Sequence, residues 1–398
     1  MELSERAISI QASPIRRLTP LLLEARKRGI LVHHLNIGQP DIETPKVFWD
    51  AIRNYDEKVL AYGLSDGLPE LKKAVVDYFA RYDIALRQSD IQVTTAGSEA
   101  ILYSMCLVTD PGDEIIVFEP FYTNYNGFGT TAGIKIVPIT TKAEDGFALP
   151  DTKEIEKKIT SKTRAFLVCS PNNPTGHILT PEEMEKIAFL AKKHDLFIIS
   201  DEVYREFTYD GEKATSFLEI KGVEDRVIVG DSISKRFSAC GARVGFLISK
   251  NPEIMASALK FAQARLCPPT LEQLGALAAY QMDPSYFDPI RKEYQARRDA
   301  LYETLTSNPE IIVKKPQGAF YMMAKLPIED SDAFAAFLLR DFNYEGETTM
   351  VAPGDGFYAT KGLGIDEIRL AYVLNVERTK RAAEILLRGL KEYKTKNR

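Results

Sequence analysis

Four polar stretches of this 398-residue sequence carry side chains able to hold charge or move protons, and each follows directly on an apolar run. Residues 91–94 give way to Thr95-Ala96-Gly97-Ser98-Glu99, small residues turning into a helical pattern. The N–H groups and positive end of such a helix suit a phosphate, although a plain turn with a helix cap has the same composition. Residues 165–169 lead into Ser170-Pro171-Asn172-Asn173-Pro174-Thr175-Gly176, where prolines fix the backbone, hold Asn173 extended and so orient its amide. Residues 196–200 lead into Asp201-Glu202-Val203-Tyr204, a carboxylate at a strand end followed by a phenol; a structural cap explains Asp201 alone equally well. Residues 227–230 lead into Asp231-Ser232-Ile233-Ser234-Lys235, with Arg243 eight positions further on between Gly241 and Gly245. Taken singly, Lys235 reads as one surface cation among dozens.

Together the four stretches offer a phosphate cradle, an acid, a phenol, an amide and a lysine, the set that pyridoxal phosphate demands of a protein. The lysine must lose its proton to attack the cofactor aldehyde, and the pyridine nitrogen needs a carboxylate that keeps it protonated as an electron sink. The phosphate needs cations and N–H donors.

The elements that must position these groups follow from the apolar pattern. Runs lie at 91–94, 115–118, 134–139, 165–169, 196–200, 227–230 and 244–248, several of them nearly all apolar as strands buried on both faces are, and longer helical patterns such as 98–108 and 181–194 separate several of them. Thr180 caps the latter, with Pro181 in its first turn. Seven strands alternating with helices predict one large α/β sheet, in which ligands sit beyond the carboxyl ends of the strands. After Pro284 the pattern changes to a long charged helix over 286–306, short strands near 311–313 and 320–325, and helices over 332–341 and 377–395, which predicts a smaller α+β domain. The N-terminal segment, with a helix at 20–28 and a short strand, is assigned to that smaller domain. The expected division is 1–45 as N-terminal arm and part of the small domain, 46–285 as the large cofactor-binding domain, and 286–398 as the small domain.

Composition narrows the class. With 45% hydrophobic and 27% charged residues and a net charge of −5, the chain is an ordinary globular protein with material for a large core and no basic footprint for nucleic acid or an anionic membrane. The N-terminus mixes Glu2, Glu5, Arg6, Arg16 and Arg17 with short apolar stretches, unlike a signal peptide, and no apolar run is long enough to span a bilayer. Cys106, Cys169, Cys240 and Cys267 are dispersed without a C-x-x-C pair, which suits reduced core thiols and a cytoplasmic location.

The sequence resembles the fold-type I, class I/II aminotransferases, of which aspartate aminotransferase is the best-known member. Ser232-Ile233-Ser234-Lys235 with Ser238, Gly241, Arg243 and Gly245 fits the family's lysine motif, and Asn172 to Gly176 fits its asparagine motif. The resemblance covers essentially the whole chain. It implies the family fold, a large domain with a seven-stranded, mostly parallel sheet plus a smaller α+β domain, and pyridoxal 5′-phosphate as cofactor. It further implies that Lys235 forms the internal aldimine and moves the substrate α-proton, that Asp201 pairs with the pyridinium nitrogen, and that Tyr204 and Asn173 hydrogen-bond the cofactor's phenolic oxygen. Gly97, Ser98, Ser232 and Arg243 match phosphate ligands, with Glu99 and Ser234 counted among the cofactor contacts. Tyr122 matches the aromatic that stacks on the ring, and Tyr62 the tyrosine that reaches the other subunit's phosphate, so a homodimer with shared sites is implied. Arg369 matches the arginine that grips the substrate α-carboxylate, with Gly38 and Asn173 beside it. Because Gly38 and Arg369 lie outside the large domain, substrate binding is expected to draw the small domain closed.

The implied reaction is transfer of an amino group between an L-amino acid, aspartate or glutamate as the best guess, and a 2-oxo acid. Aromatic or alanine aminotransferases, a β-lyase, a decarboxylase or a synthase acting on adenosylmethionine would use nearly the same residues. Aspartate-specific relatives answer the distal carboxylate with a neighbouring subunit's arginine or a lysine in the phosphate loop. Ser98 occupies that loop position here, and Arg265 lies a few residues from where the arginine usually comes.

Several other matches are weaker. Gly63-Leu64-Ser65-Asp66-Gly67 spells a hydrolase nucleophile elbow, but all four histidines end at His194, so the second half of the chain supplies none. Ser232-x-x-Lys235 spells S-x-x-K without any K-T-G. Gly354-Asp355-Gly356-Phe357-Tyr358-Ala359 imitates a dinucleotide fingerprint without a convincing strand before it. Adjacent His33 and His34 would point to opposite sides of a strand, so no metal site is expected. A regulator that only senses pyridoxal phosphate would carry an N-terminal DNA-binding domain, for which a core beginning almost at Met1 leaves no room.

Overall fold

A computed structural model describes residues 1–396. Its strands in chain order are β1 (Leu31–His34), β2 (Ile91–Thr94), β3 (Glu114–Glu119), β4 (Lys135–Thr140), β5 (Thr163–Cys169), β6 (Phe197–Asp201), β7 (Val227–Ser232), β8 (Gly245–Ile248), β9 (Ile312–Val313), β10 (Tyr321–Lys325), β11 (Glu347–Met350), β12 (Ala352–Pro353) and β13 (Glu367–Ala371). Seven of them form one sheet in the order β2-β8-β7-β6-β5-β3-β4. Only β8 runs against its neighbours; the other pairings are parallel.

The near-continuous apolar runs are explained by burial on both faces. Phe166, Val168, Ile198, Val227, Val229, Phe246 and Ile248 belong to one core cluster, whereas Ala165, Leu167, Ile199, Ile228 and Leu247, interleaved with them, belong to another. With side chains alternating across the sheet, an apolar residue is needed at every position. The helices covering the sheet follow their end signals: Thr180 caps Pro181–Lys193 in a reciprocal box with Glu183, as the sequence suggests.

Two smaller sheets complete the chain, β12-β13-β10-β9 and β1-β11. β1, from the N-terminal segment, lies parallel to β11 with Leu31 opposite Glu347 and His34 opposite Met350. A separate core cluster contains Leu18, Ala25, Val32 and Leu35 together with Phe320, Leu338, Leu370 and Leu386. Among the described residues no helix is long and apolar enough to cross a membrane. All four cysteines are free.

The strand ends matter for the site. β6 ends on Asp201, the carboxylate expected at that strand end, and β7 continues through Asp231 and Ser232, two residues past its apolar run. The ladder continues to them: Cys169 is opposite Asp201, Asp201 opposite Gly230, Ser232 opposite Gly245, and Gly245 opposite Thr94. Hydrogen bonding thus holds Cys169, Asp201 and Ser232 at one edge of the sheet, Ser232 two residues beyond the position opposite Asp201.

Candidate active site

That edge opens into a cavity of about 540 Å³. Gly97, Ser98, Tyr122, Asn173, Asp201, Tyr204, Ser232, Ser234, Lys235 and Arg243 reach it from the large sheet, and Gly38 and Arg369 from the smaller ones. Lys235 sits on the short helix Ile233–Arg236, which β7 feeds directly. Its Nζ donates to the Gly38 carbonyl at 3.2 Å and lies 3.6 Å from the Cys240 sulfur.

The carboxyl of Asp201 accepts the Tyr125 hydroxyl at 2.7 Å and the Val203 N–H at 3.4 Å. Burial is the main influence on it and pushes it up to about 6, against the pull of those two bonds. No cation bonds to it among the described residues, so it would gain from a positive charge placed beside it. Arg369 is its converse. It is 2% exposed, held between the rings of Tyr321 and Phe357, and burial lowers its proton affinity. Its guanidinium donates to Asn173 Oδ1 at 3.1 Å and to the Asn36 carbonyl at 2.6 Å, and its Nε has no partner. A buried guanidinium with neutral acceptors alone gains from an anion.

Asn173 links the two halves of the cavity, because its Nδ2 donates to the Tyr204 hydroxyl at 3.3 Å, and that oxygen lies 3.0 Å from the Tyr321 hydroxyl. Burial raises the Tyr204 phenol well above its ordinary value and pushes Tyr122 up to about 12, so both are protonated donors at neutral pH.

The turn at Thr95 is shaped by close backbone approach. Ala96 has φ +64°, Thr94 Oγ1 donates to the Ala96 carbonyl at 3.0 Å, and a Cβ on Gly245 would lie 2.4 Å from the Ala96 carbonyl carbon and 2.6 Å from the Gly97 nitrogen. Only glycine lets β8 pass this close. Ser232 Oγ accepts the Ser234 N–H at 3.0 Å and donates towards the Val244 carbonyl at 3.1 Å. Arg243, at φ +56°, donates to the Cys240 carbonyl at 3.1 Å. Gly38 is a second close approach: a Cβ there would fall 1.9 Å from the Tyr321 hydroxyl.

One expected contact requires correction. Glu99 does not line the cavity; its carboxylate accepts the Thr95 N–H at 2.7 Å and lies 3.3 Å from Arg265 Nε, so it braces the turn from behind. Tyr62 is 81% exposed and lies outside this chain's cavity. Arg265 is committed inside its own chain, with a guanidinium nitrogen donating to the Val93 carbonyl at 3.2 Å. Tyr125, Tyr321, Cys240 and Arg16 line the cavity without having been assigned a role. Tyr125, three residues beyond Tyr122 in the first turn of the helix Asn124–Ala132, is the most accessible to pattern; Tyr321 and Arg16 arrive through packing alone.

The other motif matches do not join this site. Ser65 lies in a turn with no preceding strand, and its carbonyl accepts the Gln92 amide at 2.9 Å. His33 is 2.6 Å from Glu347 and His34 lies 2.9 Å from an Arg26 nitrogen.

The model of the family "aminotransferase class I and II" matches residues 32–386. The chain belongs to that family. The aspartate/prephenate aminotransferase of Thermus thermophilus is 31% identical over 98% of each chain, and the aromatic-amino-acid aminotransferase 2 of Thermococcus litoralis is 31% identical over 99% of this chain and all of the relative. Among solved structures, an alanine aminotransferase from Pyrococcus furiosus superposes with a TM-score of 0.90 at 33% identity, covering 98% of this chain and 100% of the other. The class I and II fold expected from the sequence is therefore the fold present, and this aminotransferase is a pyridoxal-phosphate-dependent transferase acting on amino acids and 2-oxo acids.

Proposed function

We propose that this aminotransferase exchanges an amino group between a dicarboxylic L-amino acid, aspartate or glutamate, and a 2-oxo acid, working as a cytoplasmic homodimer. The observation that carries the reading is the opening of the Lys235 amine and of the buried, anion-seeking Arg369 onto one cavity. Names of relatives such as aspartate/prephenate aminotransferase support the dicarboxylic choice.

The residues fit the cofactor because the site holds a buried carboxyl without a cation and a turn suited to a phosphate. Asp201 gains from the protonated pyridine nitrogen, and the turn at Gly97 and Ser98, with Ser232, Ser234 and Arg243, suits the phosphate. When bound, pyridoxal phosphate supplies an electron sink that acidifies the Cα–H of the amino acid. Tyr204 and Asn173 would hold the cofactor's phenolic oxygen as hydrogen-bond donors, and Tyr122 would pack on its ring. Arg369 binds the α-carboxylate, with Asn173 and the Gly38 backbone orienting it, which turns the Cα–H towards Lys235. Lys235 Nζ would take up that proton and pass it on to the bound cofactor, and in the opposite direction would deliver a proton to the carbon of the 2-oxo acid as that acid is aminated. Glu99 supports the phosphate turn from outside.

We further propose that 46–285 form the cofactor-binding domain, and that 1–45 and 286–398 move together as the smaller one; the pairing of β1 with β11 supports this. Closure would exclude water around the reacting carbon. Val59, Leu60, Tyr62 and Leu64 form an exposed run suited to a second copy of the chain, through which Tyr62 would reach the partner's phosphate.

The test is the absorption spectrum of the purified protein before and after borohydride, with mass mapping of the adduct, followed by aspartate, alanine and phenylalanine as amino donors. A phosphopyridoxyl group on Lys235 and fastest bleaching of the chromophore by aspartate are expected. An adduct elsewhere would remove Lys235 from its role, and faster bleaching by alanine or phenylalanine would overturn the dicarboxylic assignment.

A further inference from the structure

Four cations line the cavity, Lys235, Arg243, Arg369 and Arg16, against a single acid, Asp201. Three of the cations already make hydrogen bonds there: Lys235 to the Gly38 carbonyl, Arg243 to the Cys240 carbonyl, and Arg369 to Asn173 and the Asn36 carbonyl. Arg16 differs, since its exposed side chain makes no hydrogen bond or ion pair among the described residues. Its backbone, by contrast, is anchored. The Arg16 N–H donates to the Ser13 carbonyl at 3.1 Å. Pro14 is buried against Gly356, where a Cβ would lie 2.4 Å from the proline ring, and the neighbouring Arg17 is ion-paired to Asp332 and, at 2.6 Å, to Asp355. A guanidinium without a partner is therefore held at the cavity by a segment that is itself pinned on both sides of it.

We propose that Arg16 selects dicarboxylic substrates by pairing with their distal carboxylate, a cation supplied by the chain's own N-terminal segment. This rests on the assignment of Arg369 to the α-carboxylate. With Arg369 and Arg243 taken by the α-carboxylate and the phosphate, a second carboxylate on the substrate needs another cation, and Arg16 is the one left without a partner. Arg265, the cation singled out by its position in the sequence, does not line the cavity; it lies 3.3 Å from Glu99 and donates to the Val93 carbonyl. An arginine at this place offers a two-pronged, charge-assisted contact to a carboxylate and only a weaker stacking contact to an aromatic ring.

The test uses the cofactor-loaded enzyme and two unreactive ligands, maleate with two carboxylates and 3-phenylpropionate with one, titrated while the cofactor absorbance is followed. For Arg16→Gln the Kd for maleate is expected to rise about ten- to hundredfold, as for loss of a charged hydrogen-bonding partner, with that for 3-phenylpropionate unchanged. Arg16→Lys should recover part of the maleate affinity. Equal weakening of both ligands, or unchanged maleate binding in Arg16→Gln, would overturn the role of Arg16 and leave the wild-type preference standing. A wild-type enzyme that binds 3-phenylpropionate but not maleate would instead overturn the dicarboxylic reading itself, and the role of Arg16 with it.

Discussion

Replacing Asp201 by Asn isolates the electrostatic cost of burying this carboxyl. Burial, first of all, raises the Asp201 carboxyl from 3.8 to about 6, and the nearby Asp231 adds to the rise. A folded value above the unfolded one means that the fold favours the neutral acid. The protein without cofactor then has its full stability below pH 3.8, loses stability as the pH climbs from 3.8 to about 6, and above that carries a constant cost of about 3 kcal/mol. Of that cost, about 1.4 kcal/mol accrues between pH 5 and pH 7.5. Asn keeps the shape and the Tyr125 bond but cannot ionise, so this part of the pH dependence should vanish. The assay is urea unfolding of both cofactor-free proteins at pH 5 and pH 7.5, repeated with pyridoxal phosphate. The cofactor should stabilise the wild type more than Asp201→Asn, because a ring N–H cation relieves the wild-type cost only. Parallel loss of stability in the two proteins between the two pH values would refute the assignment of an unmet negative charge to this position.

Gly38→Ala drives a Cβ to 1.9 Å from the Tyr321 hydroxyl, so the phenol must leave its place beside Tyr204; a stability loss of about 1–3 kcal/mol and a lower kcat/KM are expected from unfolding curves and steady-state kinetics. Gly245→Ala meets backbone atoms of Ala96 and Gly97 that cannot step aside, so spectral titration should show weakened retention of pyridoxal phosphate. Glu183 is the acid-labile brace of the helix it caps. Burial opposes its ionisation, but His177 at 2.9 Å and the N–H groups of Leu149 and Thr180 hold its carboxyl down to about 2. A depressed value stabilises the fold above pH 4.5 and is lost as the pH falls through about 2, so Glu183→Gln should flatten the acid limb of an unfolding profile by about 2–3 kcal/mol.

The large sheet was legible because burial on two faces leaves a one-dimensional trace, a run with no polar position. Lys235, Asp201, Asn173 and Arg243 were legible for a related reason: each sits at or just beyond a strand end, where the neighbouring residues spell local backbone geometry. Glu99 shows where that logic stops. It adjoins Ser98 in the same first turn, yet its side chain folds back on the Thr95 N–H and meets Arg265, and nothing in the local pattern distinguishes a carboxylate that turns back from one that turns in. Arg265 likewise turns inward, where one of its guanidinium nitrogens donates to the Val93 carbonyl of its own chain.

By itself, then, the amino-acid sequence determined the alternation of strand and helix, the strand ends that carry chemistry, and the cofactor class, since these depend on short-range hydrogen bonding and on which residues tolerate burial. The tertiary structure decided what those groups face. Arg369 is aimed by the register of β13 against β10 and β12, opposite Met323 and Ala352, and it reaches Asn173 only because the small sheet packs against the end of the large one. Tyr321 over Gly38 and Arg16 at the cavity come from segments far apart in the chain. Such contacts are long-range by nature: their energy lies in the fit of packed surfaces, and no stretch of residues taken alone encodes it.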